Sequence, residues 1–394
     1  MSWSPRHSWH FRWPVERGIK PLVNGKRCLF LIDSLAAGGA ERVVLSLGQV
    51  LHELGHEVTI LTIQDRIELP VDFPVRLVSL GFQKRRGELS YRKYARRLRT
   101  TLAGEENTAG AYDLVVANLQ IANRLVALSR IPETHLCIHS ALSPGSLGNR
   151  RGLRRYLKRR KLRRIFNRQH VITIAKGMRD DLLTEVGAQP KSIQVIYNAV
   201  DFHRVRRLAS GENQFAGENY IVCPARFADV KRHDRLLEAY QRSGISQRLL
   251  LLGTGEMEQR VRQMVHDKGL SGRVIFAGFH HNPYPIMKDA AATILASDYE
   301  GLPTVLIESL ALGTPVVSTD CPSGPREIML GDLARFLAPV NDVGALAKKI
   351  KMAVQEGSTG SINLADARLE RFEPVNVANQ YLSLADRRKR LGVE

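Results

Sequence analysis

One pattern narrows what this chain can become more than any other. Short apolar runs alternate with amphipathic stretches, and the whole series is played through twice. The first series opens with RCLFLIDSL, turns at AAGGAE, and continues into a stretch with Val43, Val44, Leu47, Val50, Leu51 and Leu54 on one helical face. EVTILTI, VRLVSL (75–80), DLVVAN (113–118), HLCIH (135–139) and HVITI (170–174) read as strands, and IQVIYNAVD closes the series near 195–201. The second restarts at YIVCPAR (220–226). It runs through a helix at 233–243, RLLLLG (248–253), a helix at 256–268, RVIFAG (273–278), AATILAS (291–297), a helix at 304–312 and TPVVST (314–319). Strand-sized apolar runs joined through helices imply parallel sheets covered on both faces. The expected class is α/β, with two Rossmann-like domains over 27–204 and 205–374.

Composition limits the partners. At 44% hydrophobic and 25% charged residues, the chain is neither disordered nor collagen-like. No stretch approaches the ~18 apolar residues of a membrane span. Four cysteines, none in a CxxC pair, argue against a disulfide framework or a zinc site and suit a reducing cytosol. The net charge of +19 is lopsided: 34 basic against 17 acidic residues in 1–204, and 24 against 22 in 205–394. The first half is built to face something anionic, whether nucleic acid, an anionic bilayer or a phosphorylated substrate.

Three segments concentrate that charge. The tail 1–26 sets Trp3, Trp9, Phe11 and Trp13 among Arg6, Arg12 and Arg17. It lacks the apolar core of a signal peptide, and reads as a floppy tail or an interfacial anchor. Residues 91–102 place Tyr91, Tyr94, Ala95, Leu98 and Leu102 on one helical side, with Arg92, Lys93, Arg96, Arg97 and Arg99 on the other. Ordinary surface helices mix signs, and this face has no acid. Residues 149–168 carry eleven Lys/Arg in twenty, Arg154, Arg155 and Lys158 among them. Here Leu153, Tyr156 and Leu157 point nearly opposite to Leu162, Ile165 and Phe166, which predicts a kink or a helix buried at both ends.

The most specific signal is SDYEGLPTVLIESLALGTPVVSTDCPSGPREI, residues 297–328. A strand ends at Ser297, a polar turn holds Glu300, Gly301, Leu302 and Pro303, and a helix begins near Thr304. A helix start offers free N–H groups and a positive dipole end, which suits a phosphate. Glu300 and Glu308 can each accept hydrogen bonds from vicinal hydroxyls, one set on a sugar and one on a ribose. In ARFADVKRHD, Arg226 and Lys231 flank a strand-to-helix loop and can converge on one diphosphate, the guanidinium as a fork and the ammonium as a point charge. Gly38 and Gly39 permit a tight turn into the first helix, without the spacing of a dinucleotide fingerprint. His139 sits at a strand end, where ligands bind in such sheets. GTGE (253–256) reads as a structural turn. No Asp-x-Asp occurs, so no metal is expected to clamp a diphosphate, and protein cations would have to neutralise it.

Together these residues resemble the family-four glycosyltransferases of the GT-B fold, from about residue 27 to 390. GGAER, His139, NAVD (198–201), Arg226 with Lys231, and Glu300 with Glu308 in an E-x7-E spacing carry the resemblance. It implies two lobes facing each other across a cleft, with the C-terminal helix 375–394 packing back on the first. Arg226 and Lys231 would hold the donor diphosphate and Glu308 the ribose. Glu300, with the backbone of Gly301 to Thr304, would hold the donor sugar, with His139 beside it. Ala225 and Arg232 stand where the family commonly has glycines. EGLPTVLIESL resembles the subgroup that builds lipid-linked oligosaccharides and surface polysaccharides. The implied partners are a nucleotide diphospho-sugar (UDP favoured), a lipid-linked or lipopolysaccharide-type acceptor and an anionic membrane surface, with no cofactor and no nucleic acid. The implied place is the cytoplasmic face of the membrane. A basic nucleic-acid-binding protein, or a GT-B relative that isomerises or hydrolyses nucleotide sugars without an acceptor, are the alternatives.

Overall fold

A computed structural model describes residues 25–36, 38–83, 88–148 and 150–385. The aromatic tail before residue 25 and the end of the C-terminal segment from 386 lie outside the described residues. The first series folds as β1 (Arg27–Ile32), α1 (Gly39–Glu53), β2 (Glu57–Thr62), β3 (Arg76–Ser79), α2 (Glu88–Ala109), β4 (Leu114–Asn118), α3 (Gln120–Ser129), β5 (His135–Ile138), α4 (Gly152–Phe166), β6 (His170–Thr173), α5 (Lys176–Asp180) and β7 (Ser192–Val195). Its strands form one parallel sheet in the order β3-β2-β1-β4-β5-β6-β7. After α6 (Phe202–Leu208), the second series supplies β8 (Tyr220–Pro224), α7 (His233–Ser243), β9 (Arg248–Leu252), α8 (Glu258–Asp267), β10 (Val274–Gly278), α9 (Tyr284–Lys288), β11 (Thr293–Leu295), α10 (Thr304–Ala311), β12 (Val316–Thr319), α11 (Pro325–Ile328), β13 (Leu337–Ala338) and α12 (Val343–Thr359). These strands are again all parallel, in the order β10-β9-β8-β11-β12-β13. The chain ends its described course in α13 (Pro374–Leu382).

The sheets are continuous apolar layers because both faces are covered. Every residue of β4, β5, β6, β11 and β12 is buried, as parallel sheets between helices require. In both sheets the strand order reverses direction at one point, between β1 and β4 and between β8 and β11. A crevice opens at the carboxyl ends of strands where order reverses. Asn118, at the end of β4, and the Ser297–Pro303 turn, after β11, lie at these points; His139 follows β5, the neighbour of β4.

α13 returns to the first domain. Tyr381 is buried with its ring edge-on to Phe30 of β1, the centroids 6.5 Å apart, and Lys26 Nζ donates to the Leu382 carbonyl at 3.2 Å.

Several local expectations change. The basic helix expected over 91–102 extends from Glu88 to Ala109. Its Ala95, Leu98 and Leu102 are buried, and Arg92, Lys93, Arg96, Arg97 and Arg99 are exposed. α4 is one continuous helix and is not buried at both ends. Only its second half is anchored, through Leu162 and Phe166, while Leu153, Tyr156 and Leu157 stay 70%, 56% and 52% exposed. Its two apolar faces arise because the helix leaves the body of the domain part-way along. IQVIYNAVD is a strand only to Val195. Its Asp201 instead caps α6, accepting the Arg204 N–H at 2.9 Å.

Candidate active site

Glu300 is held from two sides. Lys231 Nζ donates to Glu300 Oε1 at 2.5 Å, and Ser297 Oγ donates to the same oxygen at 2.6 Å. The lysine and carboxylate are mostly buried, with 23% and 11% of their side chains exposed. A pair at that depth is screened far less than a surface pair. Arg226 sits differently: its side chain is 69% exposed and reaches Glu256 at 3.4 Å. Both cations expected to hold a diphosphate therefore rest on carboxylates, and the sequence pointed to neither pairing.

In the loop that carries them, Arg232 stands where the resemblance expects a glycine. Arg232 has a φ of +50°, in the left-handed region where glycine costs least. Its guanidinium compensates by donating to Asp234 at 2.9 and 2.8 Å and to Asp298 at 3.2 and 3.1 Å. Asp298 also takes Arg235 at 2.7 Å, which ties the loop to the start of the 298–303 turn. Gly253 of GTGE has a φ of +143°, and any side chain there would collide with the carbonyl of Ala225. The turn is a support for the Arg226 loop.

The turn of Glu300 meets the first domain directly. A Cβ on Gly301 would lie 2.8 Å from Met178 Cε and 3.2 Å from the His139 carbonyl oxygen. Ser323 Oγ donates to the Gly301 carbonyl at 2.9 Å, and a side chain on Gly324 would strike Pro303 and Gly301. No side chain caps the start of α10 at Thr304. Leu302 and Pro303 are buried in the turn.

His139 is positioned by a residue the motifs did not reveal. Asn118 Nδ2 donates to the carbonyls of Leu31 and Val116, at 3.2 and 3.4 Å. The amide oxygen therefore faces His139 Nε2, at 2.9 Å. An amide oxygen only accepts, so the imidazole carries its proton on Nε2 and keeps an acceptor at Nδ1. That Nδ1 is buried and has no hydrogen-bond partner among the described residues. Burial pushes the His139 pKa down to about 4, so the ring is neutral at pH 7.

Glu308 lies one helical turn beyond Thr304, with a hydrogen bond between their side chains. Burial pushes its pKa up to about 7, and the Thr304 bond only partly offsets this. Tyr284 lies within electrostatic reach of Glu308, Arg204 and Arg42. Gly38 caps α1, which begins at Gly39 rather than Ala40. The Glu41 carboxylate folds over Gly38, and only Gly39 keeps open space on its Cα. Of the basic-face residues, Arg154 is exposed, Arg155 pairs with Glu185 at 3.0 Å, and Lys158 is half-buried. Among the described residues no three His, Cys, Asp or Glu side chains are grouped to hold a metal, and no helix is long and apolar enough to cross a membrane.

A second link across the domains uses Glu327, inside SGPREI. Its carboxylate accepts the N–H groups of Lys176 and Gly177 at 2.7 and 3.1 Å and the Tyr197 hydroxyl at 3.1 Å. Its place as the penultimate residue of the long motif was the available signal.

Two family models match this chain: "Glycosyltransferase Family 4" over residues 37–204 and "Glycosyl transferases group 1" over 206–364. Among curated proteins, the N-acetylgalactosamine-N,N'-diacetylbacillosaminyl-diphospho-undecaprenol 4-alpha-N-acetylgalactosaminyltransferase of Campylobacter jejuni is 26% identical over 371 residues, which cover 89% of this chain and 97% of the relative. Among solved structures, a glycosyltransferase from Rickettsia africae has a TM-score of 0.70 at 15% identity, covering 92% of this chain and 98% of its own. Anabaena Alr3699/HepE in complex with UDP and glucose has a TM-score of 0.69 at 22% identity, covering 90% and 98%.

Proposed function

The chain is a glycosyltransferase of family 4 with the GT-B fold, and from that premise we propose that it moves a hexose or N-acetylhexosamine from a UDP-sugar to a lipid-linked or lipopolysaccharide-type glycan. The observation that carries this is the meeting of two motifs from different domains, the Glu300–Gly301 turn against the His139 carbonyl. A bound sugar at that junction would place hydroxyls against Glu300 and His139 Nδ1. Glu308 would take the ribose hydroxyls. Arg226, Lys231 and the uncapped start of α10 would stabilise the leaving diphosphate. The choice of UDP is supported by the ligand of the Anabaena relative, and the choice of acceptor by the name of the Campylobacter one.

The reaction retains anomeric configuration by front-face departure: the leaving phosphate oxygen accepts the proton of the incoming hydroxyl, and no protein nucleophile is required. His139 is neutral and orients the sugar. Apposition of the domains excludes water. Without Asp-x-Asp, neutralisation of the diphosphate falls to protein cations. The cations of α2 and α4 attach the protein to an anionic membrane at its cytoplasmic face.

A thermal-shift series with UDP-, GDP- and ADP-sugars tests the donor. Ligand that binds the folded state raises the melting temperature by mass action. One UDP-sugar is expected to raise it, Glu308→Ala to abolish the rise and Arg99→Glu to leave it intact. Chelation with EDTA is expected to leave transfer unchanged, and activity restored only by added Mg²⁺ or Mn²⁺ would overturn the metal-free mechanism. Product release from the UDP-sugar at full rate without any added acceptor, as free UDP for a hydrolase or as an isomeric UDP-sugar for an isomerase, would mark the alternative instead.

A further inference from the structure

A cavity of about 210 Å³ opens beside His139, between α2, α3 and α4. That is below the ~300–1,000 Å³ of sites that enclose a whole drug-sized ligand, so it suits a single sugar. Tyr91, Ile121, Ile138, Leu142 and Phe166 are among its walls. One wall residue is of another kind. Asn123, in the first turn of α3, lines the cavity and is only 3% exposed. Its Nδ2 donates to the Cys137 carbonyl at 2.9 Å, and its Oδ1 is buried without a hydrogen-bond partner among the described residues. A buried acceptor left unpaired is costly, and an open cavity beside it marks the place of a missing donor.

The chemistry of that donor follows from its surroundings. A hydroxyl could meet the amide oxygen, but it brings no apolar surface to cover the walls. An acetamido group does both: its N–H donates to Oδ1, and its methyl group packs on the apolar side chains. Its carbonyl oxygen needs a donor in turn, and Lys158 of α4 lines the same cavity. His139 belongs to the wall as well, so a ring seated here lies against the sugar being transferred. Such a ring is the terminal sugar of the acceptor, the one whose hydroxyl attacks.

We infer that Asn123 reads an acetamido group on the terminal sugar of the acceptor, so that an acetamido sugar, rather than a plain hexose, presents the attacking hydroxyl. The inference rests on the acceptor class proposed above and deepens it, because it names the kind of sugar in which the acceptor ends. Asn123 sets specificity and takes no part in the exchange of bonds.

The test uses the full chain, the UDP-sugar that raises its melting temperature, and two prenyl-diphosphate-linked sugars that differ at one ring carbon. One carries an acetamido group there and the other a hydroxyl. The wild-type protein should favour the acetamido acceptor by on the order of tenfold to a hundredfold in kcat/KM, the range that one added apolar group supplies in a fitted pocket. Asn123→Ala should cut that preference by about tenfold, through KM for the acetamido acceptor. Transfer to the hydroxyl acceptor and the thermal shift with UDP-sugar should change little. Asn123→Ala also removes the bond to Cys137, so the wild-type comparison is decisive by itself. Equal kcat/KM for the two acceptors, or a preference for the hydroxyl, overturns the inference and leaves the lipid-linked acceptor standing. A preference that survives Asn123→Ala unchanged overturns the assignment to this residue. Transfer to neither acceptor, while the UDP-sugar still binds, overturns the lipid-linked reading and the inference with it.

Discussion

At Glu308, burial and function pull in opposite directions. A carboxylate that accepts two ribose hydroxyls must be ionised, yet burial holds its pKa near 7, against an ordinary 4.5. Below pH 7, donor binding has to expel a proton first. Donor affinity should therefore weaken by up to about tenfold per pH unit below 7 and level off above it. Calorimetric titration with UDP between pH 5.5 and 8 checks this, and Glu308→Gln should flatten the dependence; a flat wild-type curve would remove the ribose role. For folding the sign is reversed. The folded state holds this proton more tightly than the unfolded chain does, so the group's contribution to stability falls as pH rises from about 4.5 to about 7. His139 adds no limb near pH 6.5, being neutral down to about 4. The types and spacing of Glu300, Glu308 and His139 were legible in the sequence. The amide of Asn118, which fixes the imidazole tautomer, was not, because it comes from a neighbouring strand whose pairing is long-range.

Among the elements, α4 departs furthest from expectation. Hydrophobic periodicity reports which residues share a side of a helix. It does not report whether the body of the domain continues beneath that side. Leu153, Tyr156 and Leu157 form a side that stays more than half exposed, and this adds shallow insertion of this helix to the charge in the membrane prediction. Each Lys or Arg near an anionic surface contributes ~1 kcal/mol, and that part is screened by salt. Raising salt should release most of the protein from anionic vesicles. Leu157→Ser should weaken binding several-fold at every salt concentration with the same slope, since burying a leucine side chain is worth ~1.5–3 kcal/mol. Co-sedimentation measures both. Equal binding to neutral vesicles would eliminate the electrostatic part. In the Arg232 loop the geometry survives a residue that strains the backbone, because two carboxylates hold its guanidinium.

At the scale of the whole molecule, the two domains are joined where chemistry is expected and again at Glu327. The backbone of Gly177 lies so close to Pro322 and Ser323 that a side chain there would force them apart. Glu327 binds the N-terminus of α5 and Tyr197 from the other domain, and burial and that carboxylate push the Tyr197 pKa up to about 12. Removing the carboxylate leaves two N–H groups and a hydroxyl without their acceptor, at ~1–3 kcal/mol. Glu327→Ala should lower the melting temperature by a few degrees and reduce kcat several-fold, with UDP affinity changed less than kcat. A variant with wild-type kcat would show that this link is only structural.

By itself the amino-acid order determined two parallel α/β sheets, the class of chemistry at the strand ends and the basic bias of one domain. Strand alternation, helix starts and motif spacing are local properties, written in consecutive residues. Only the tertiary structure decided that Lys231 rests on Glu300, that Asn118 sets His139, that Glu327 spans the domains, and that half of α4 stands clear of its own core. Each of those depends on which distant segment comes to lie alongside, and packing settles that for the chain as a whole.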